Sequence, residues 1–301
     1  MTASFFNRSW DFVSNARIFR NSREYAAVVP GYFNSLKPAK ELREEFEDIH
    51  TYLMFIGIGR SGTTLIGALL DAHPGAVVAN EESALKYMHP QVFSREQVYW
   101  LLLRNSREYA AGGRVGGGGY GYKVEGQWQG KYRKLEVIGD KSKSAQDVTW
   151  VTSSRGLLGR MAKTTGARIR MMHVIRNPYD SIAARSHHRK LSLQVIAKEY
   201  FGHCGRLLKL IHRIENESEI DVARIPVHLE DFIEDPGRQL SGICGELGLE
   251  APEDYLRACS RIVRKKPHRR RFEAAWDPAL IEEIAVKIKE ISFFKRYSFE
   301  D

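Results

Sequence analysis

The run Tyr52-Leu53-Met54-Phe55-Ile56 is apolar without interruption. It predicts a strand buried on both faces, because a half-exposed strand would alternate apolar and polar residues. A glycine-rich turn follows, and Thr64–Asp71 (TLIGALLD) predicts a short helix that stops at His73-Pro74. Gly75–Asn80 (GAVVAN) predicts a second strand and Arg168–Ile175 (RIRMMHVI) a third. After the third come Asn177-Pro178-Tyr179-Asp180 and a helix from Ser181. Ile225–Leu229 (IPVHL) is the fourth predicted strand, with a helix over Gln239–Leu247 behind it. Strands alternating with helices predict α/β architecture: a P-loop-like three-layer α/β/α fold with a central parallel sheet.

The flanking stretches read differently. Residues 1–50 are polar and aromatic, with a Pro-Gly turn expected at Pro30-Gly31 and a helix at Ala39–Ile49. They are expected to form an N-terminal helical extension on an α/β domain spanning 51–301. Phe5, Phe6, Trp10, Phe12, Ile18 and Phe19 interleave with arginines, so membrane-surface contact or dimerisation stands beside a plain capping role. Ala111–Gly121 is very rich in glycine. Strands at Tyr120–Glu125 and Lys134–Ile138, around a turn at Gly126–Gly130, would make it a Gly-rich, hairpin-like insertion beside the site.

Composition narrows the partners. A chain of 301 residues buries a substantial core, and no apolar run approaches the roughly 20 residues that span a bilayer. The start of the chain lacks an uninterrupted signal-peptide core, so a cytoplasmic protein is expected. Cys204, Cys244 and Cys259 form no CxxC pair and are expected to be reduced, buried thiols. A net charge of +9 calls for an anionic partner: nucleic acid, an anionic membrane or a polyphosphorylated nucleotide.

The segment Gly57-Ile58-Gly59-Arg60-Ser61-Gly62-Thr63-Thr64 sits between a buried strand and a helix, the context that marks a phosphate-binding loop. Glycines let successive N–H groups converge on one anion, and the helix start adds its positive end. Gly57 and Gly62 match the glycines of GxxxxGK[ST], but Thr63 stands where the lysine belongs. That lysine reaches β- and γ-phosphates, so its loss argues against ATP or GTP hydrolysis.

GIGRSGTTLIGALLDAHP resembles the 5′-phosphosulfate loop of sulfotransferases, especially tyrosylprotein and prokaryotic members. The resemblance implies transfer from 3′-phosphoadenosine 5′-phosphosulfate (PAPS), with adenosine 3′,5′-bisphosphate (PAP) as product. It implies Gly59, Arg60, Ser61, Gly62, Thr63 and Thr64 on the 5′-phosphosulfate. VIRNPYDSIAA (Val174–Ala184) resembles the family's 3′-phosphate segment, which implies Arg176 on that phosphate. Many members carry Ser or Thr eight residues after this arginine, whereas this chain has Ala184; Ser181 or Ser186 is the expected substitute. HLEDFIEDPGRQLSGICGELGLE (His228–Glu250) and the ending FFKRYSFED are more loosely similar, and the resemblance spans Tyr52 to Asp301.

In-line sulfuryl transfer needs a base for the acceptor hydroxyl and cations for the leaving oxygen. By resemblance the base is Glu81, with Glu82 the alternative, and Lys141 stabilises the bridging oxygen. His187, His188 and Arg189 rank as substrate-side residues only. The run Arg264–Arg271 is the densest basic stretch, and Arg269 and Arg270 are the candidates within it for the 3′-phosphate. No HExxH, paired CxxC or EF-hand pattern appears, so no metal ligand is assigned. The expected acceptor is a hydroxyl-bearing small molecule or glycan, as a carbohydrate or glycolipid. A P-loop small-molecule kinase is the alternative, and a nucleic-acid-binding module would leave the strand-flanked loop unexplained.

Overall fold

The computed structural model describes residues 23–88, 92–116, 119–142, 144–154 and 156–301. The aromatic–arginine pattern of residues 1–22 lies outside these. Helix α1 (Arg23–Glu41) leads through a single 3-10 turn into strand β1 (Thr51–Gly57). Then come α2 (Thr63–Leu70), β2 (Ala76–Asn80), α3 (Leu85–Met88), α4 (Arg95–Ala111) and β3 (Val137–Lys141). Helices α5 (Ser144–Ser153) and α6 (Leu157–Thr165) precede β4 (Arg168–Ile175), and α7 (Pro178–Arg189) and α8 (Leu193–Glu215) follow it. After β5 (Val222–His228) the chain ends in α9 (Leu229–Glu234), α10 (Pro236–Leu247), α11 (Glu253–Ile262) and α12 (Pro278–Glu290).

The five strands form one sheet in the order β2-β3-β1-β4-β5, with every pairing parallel. Alternate residues of β1 feed two cores. Tyr52, Met54 and Ile56 face α4, α5, α6 and α8, while Leu53 and Phe55 face α2, α10 and α11. Each such fully buried side chain contributes roughly 1.5–3 kcal/mol. This double burial is why β1 has no alternation, and it gives the expected three-layer α/β/α fold.

Four of the expected strands are present, β5 starting earlier than expected, and three expectations need correction. Helix α1 runs straight through Pro30-Gly31, where a turn was expected. Packing overrides the proline: Gln97 of α4 donates to the Tyr32 carbonyl and to Ser35 Oγ, and a Cβ on Gly31 would meet Tyr87 at 3.3 Å. The helix expected at Ala39–Ile49 is only the end of α1 plus a 3-10 turn at Glu44–Phe46. The expected hairpin also does not form. Among the described residues its first arm makes only an isolated bridge, Val115 with Gly121. The second arm belongs to β3, which inserts between β2 and β1. Gly139 permits that insertion, because a Cβ there would lie 2.4 Å from the Leu53 carbonyl.

Side chains at the end of α2 and within α4 instead support the edge strand β2. An open strand edge presents unpaired N–H groups that invite association. Here Val78 N donates to Asp71 Oδ1 at 2.6 Å and Asn80 N to Asn105 Oδ1 at 2.8 Å. Asp71 also accepts from Ser106, Gly130 N and the buried Arg114 guanidinium, so it ties the glycine-rich segment to α2 and β2.

Candidate functional site

The connection from β1 turns toward β2, while that from β4 turns toward β5. Their carboxyl ends therefore flank the switch point of the sheet, the crevice where ligands bind in open α/β folds. The Gly57–Thr63 loop rises from β1, and Arg176 leaves β4 beside it.

The loop has the backbone of an anion cradle. Gly57, Arg60 and Gly62 all have positive φ, at 129°, 74° and 97°. Left-handed residues among right-handed ones turn successive N–H groups inward, and α2 begins at the next residue, so its positive end adds to the cradle. Gly62 is needed twice over, since a Cβ would also lie 2.5 Å from Leu229 Cδ1. Ser61 is 3% exposed, and its buried Oγ has no hydrogen-bond partner. A buried hydroxyl left unsatisfied is costly, and a phosphate oxygen would satisfy it.

Cations line the β4 side. Arg176 donates from Nη1 to the Arg60 carbonyl at 3.0 Å and from Nη2 to the His268 carbonyl at 2.5 Å. It thus joins the loop to the late basic segment. Burial lowers its pKa, opposed by Asp180 and Glu230. The basic segment is anchored by a residue that sequence reasoning passed over. Arg271 is 1% exposed and pairs with Asp180 Oδ2 at 2.6 Å, while its backbone N–H donates to Oδ1. Arg269 is exposed, and Arg270 lies 3.6 Å from Glu273. The charges of Arg270 and Lys190 depress the His187 pKa.

The other side carries the acid–base groups. Glu81 follows β2 and Lys141 ends β3, and the Lys141 Nζ donates to Glu81 Oε1 at 2.9 Å. Lys141 is 5% exposed and Glu81 49%, so the lysine is enclosed and the carboxylate opens to the crevice. The lysine stem lies against α2, where a Cβ on Gly67 would meet it at 3.1 Å. Glu82 is different. It is buried and accepts from Tyr87 Oη at 2.5 Å and Asn105 Nδ2 at 2.8 Å, with Lys86 Nζ at 3.3 Å. Its oxygens are committed to structure.

The turn carrying Glu81 is strained, with φ of 61° at Glu81 and 60° at Ser83. Asp140, also missed in the sequence, holds it. Its Oδ1 accepts from Glu82 N at 3.3 Å and its Oδ2 from Ala84 N at 2.8 Å. Burial pushes the Asp140 pKa up to about 7, against its amide donor and Lys141.

The glycine-rich arm adds rings. Tyr120 and Tyr122 stand 4.9 Å apart, and Arg264 lies over Tyr120 at 5.2 Å. Burial raises the Tyr122 pKa and Arg60 opposes the rise; burial also raises that of Tyr109, opposed by Arg114 and aided by Tyr122 and Glu81. All three tyrosines are half-buried.

The structure therefore brings Arg176 against the Gly59–Thr64 loop and the His268 carbonyl, and Glu81 with Lys141 together on the β2–β3 side, while Arg270 is paired with Glu273. Ser181 is buried on α7, and Ser186 donates instead to the Leu191 carbonyl at 2.6 Å. The signals for Asp180 and Arg271 were present, in the Asn-Pro-Tyr-Asp turn and the basic run, but their pairing across 91 positions was not.

These features define a parallel α/β protein whose switch-point loop has the backbone of an anion cradle. No family model matches the chain, and no curated protein matches it. Among solved structures it is similar to the sulfotransferase domain of the Synechococcus PCC 7002 olefin synthase, with 19% identity over 78% of this chain and 83% of that one, at a TM-score of 0.43. It is also similar to mouse sulfotransferase SULT7A1 complexed with PAP, with 12% identity over 86% and 94% of the two chains, at a TM-score of 0.47. A third similar structure is retinol dehydratase in complex with androsterone and inactive cofactor PAP, with 12% identity over 87% and 86%, at a TM-score of 0.40. These overlaps are loose, and the function rests on the site itself.

Proposed function

We propose that this chain is a PAPS-dependent sulfotransferase that moves a sulfuryl group to an acceptor hydroxyl, on a carbohydrate or glycolipid. The observation that carries the proposal is the pairing of a lysine-free anion cradle, with Thr63 in the lysine's place, and an open Glu81–Lys141 pair across the same crevice. The cradle fits a phosphate, since Ser61 Oγ is buried and unsatisfied and the loop N–H groups converge. Gly59 to Thr64 would hold the 5′-phosphosulfate, with Arg60 on its charge, and Arg176 would face the 3′-phosphate. Arg269, Arg270 and Ser181 belong to the same proposed nucleotide site.

In the proposed reaction Glu81 takes the acceptor proton as the oxygen–sulfur bond forms. The bond from sulfur to the phosphate oxygen breaks, and Lys141 and Arg60 neutralise the charge left on that oxygen. A lysine shared between base and leaving oxygen changes partner without crossing the site. Tyr109, Tyr120 and Tyr122 favour a sugar acceptor, because half-buried rings offer faces to its C–H surface. The catalytic unit of this reading is 51–301, with residues 1–50 as an extension, in a cytoplasmic protein whose basic loop serves a nucleotide.

Titrating PAP and, separately, ATP with Mg²⁺ while following the melting temperature tests this. A ligand that binds only the native state raises it as concentration passes Kd. PAP is expected to raise it and Arg60→Ala to abolish the effect. A response to ATP–Mg²⁺ without one to PAP would replace the sulfotransferase with a kinase.

A further inference from the structure

Arg185 is the cation in the crevice wall that the proposed reaction leaves without a task. It lies on α7 two turns beyond Arg176, and its side chain is only 13% exposed. A Cβ on Gly59 would sit 3.4 Å from Arg185 Nη1, so the guanidinium reaches the loop where that glycine makes room for it. Arg176 contacts the next loop residue, Arg60. The two arginines therefore flank consecutive positions of the cradle, from a strand end and from the helix behind it. Ala184, between them on α7, is 7% exposed and offers no donor.

The charge around Arg185 is not balanced. Its nearest carboxylate is Glu199 Oε2, at 3.8 Å, and Arg189 takes that same oxygen more closely. Arg185 Nε is buried with no hydrogen-bond partner. On the far side α8 adds one more guanidinium, Arg206, which lies 2.6 Å from His203 Nδ1, while burial and the neighbouring arginines lower the His203 pKa. A mostly buried guanidinium with an unsatisfied donor and a shared counter-ion is expensive unless an anion completes it. The planar donor fork suits a phosphate better than any other small anionic group on a nucleotide.

We propose that Arg185 binds the second phosphate of the nucleotide, forming with Arg176 a two-arginine clamp on the 3′-phosphate. This rests on the nucleotide assignment above and adds a residue to it. The loop amides hold the 5′ end, and the clamp lies on the α7 side, so the two phosphates are read by separate groups. Selectivity for a 3′-phosphorylated nucleotide then resides in side chains of β4 and α7.

The test is calorimetric titration with PAP and with AMP, which shares the nucleoside and 5′-phosphate but lacks the 3′-phosphate. Wild type, Arg185→Met and Arg185→Lys are compared, with unliganded melting temperatures measured alongside. Losing a charge-assisted contact is expected to weaken PAP by about 10- to 100-fold in Arg185→Met, with AMP changed less than about 3-fold. Arg185→Lys should restore part of the difference. Equal losses for both nucleotides, or none in a folded variant, would overturn the clamp. Should Arg185→Met not fold, an unchanged PAP-to-AMP ratio in Arg185→Lys would do the same. Wild-type protein that binds PAP no better than AMP would instead remove the nucleotide assignment, before any variant is considered.

Discussion

Asp140→Asn isolates the cost of keeping a carboxyl inside the sheet. Asp140 is 2% exposed, and burial holds its pKa at about 7 in the folded chain. Unfolded, it returns to about 3.9. Because the folded pKa is the higher one, the folded state binds the proton more tightly. The contribution is complete below pH 4, declines as pH rises and is gone above pH 7. Between pH 5 and pH 8 the linkage relation gives a loss of about 2 to 3 kcal/mol from this one group. Asparagine keeps the shape but cannot titrate, so the variant lacks that loss. It pays a fixed cost of about 1 kcal/mol at all pH values, since an amide nitrogen cannot accept from both Glu82 N and Ala84 N. Urea midpoints for both proteins at pH 5, 6, 7 and 8 measure the difference directly. Histidine titrations cancel in the comparison because they are common to both. The wild-type advantage should shrink by about 2 to 3 kcal/mol from pH 5 to pH 8. A difference that stays constant over that range would refute a proton on Asp140.

Other consequences follow from single contacts. Arg114→Met should cost about 3–5 kcal/mol by stranding the buried Asp71 carboxylate, and Arg114→Met with Asp71→Asn should recover part of it; denaturant titration decides. Gly62→Ala should cost about 1–3 kcal/mol from its left-handed φ and the clash with Leu229, and should abolish the PAP-induced rise in melting temperature. Glu81→Gln should lower kcat by about 10²- to 10⁴-fold while PAP still binds, whereas Glu82→Gln should lower the melting temperature first. Turnover lost in a fully stable Glu82→Gln but kept in Glu81→Gln would reverse that assignment.

Central β1 and edge strand β2 were both legible because burial on both faces leaves each an almost unbroken apolar run. β3 was legible only in part: a strand was expected over Lys134–Ile138, but the sequence does not show that it runs on through Gly139-Asp140-Lys141 or that it lies between β2 and β1. Its polar residues sit inside because Asp140 accepts from backbone amides and Lys141 donates to Glu81. Helix α4 carried a legible start, Ser94 with Gln97 in a capping box, but its glycine-rich sequel drew attention to an insertion instead. The strand-flanked glycine loop was legible in local spacing, and Arg176 through the resemblance of the Val174–Ala184 segment. Arg185 was hidden by its position. Nothing in its neighbours along the chain shows that the helix turns it onto Gly59, or that Glu199 is already engaged by Arg189.

Three buried aspartates explain how a rigid sheet holds segments that have little structure of their own. Asp71 pins the glycine-rich arm through Arg114 and Gly130 N. Asp140 pins the strained turn that bears Glu81. Asp180 pins the basic segment through both the side chain and the backbone of Arg271. Each accepts at least one backbone N–H from the segment it holds, so each fixes the path of the chain as well as a side-chain contact. A carboxylate suits this task because one residue can receive several donors at once, whereas an apolar contact would fix a distance without a direction. The crevice is thereby bordered by three segments, each fixed in path by one buried aspartate.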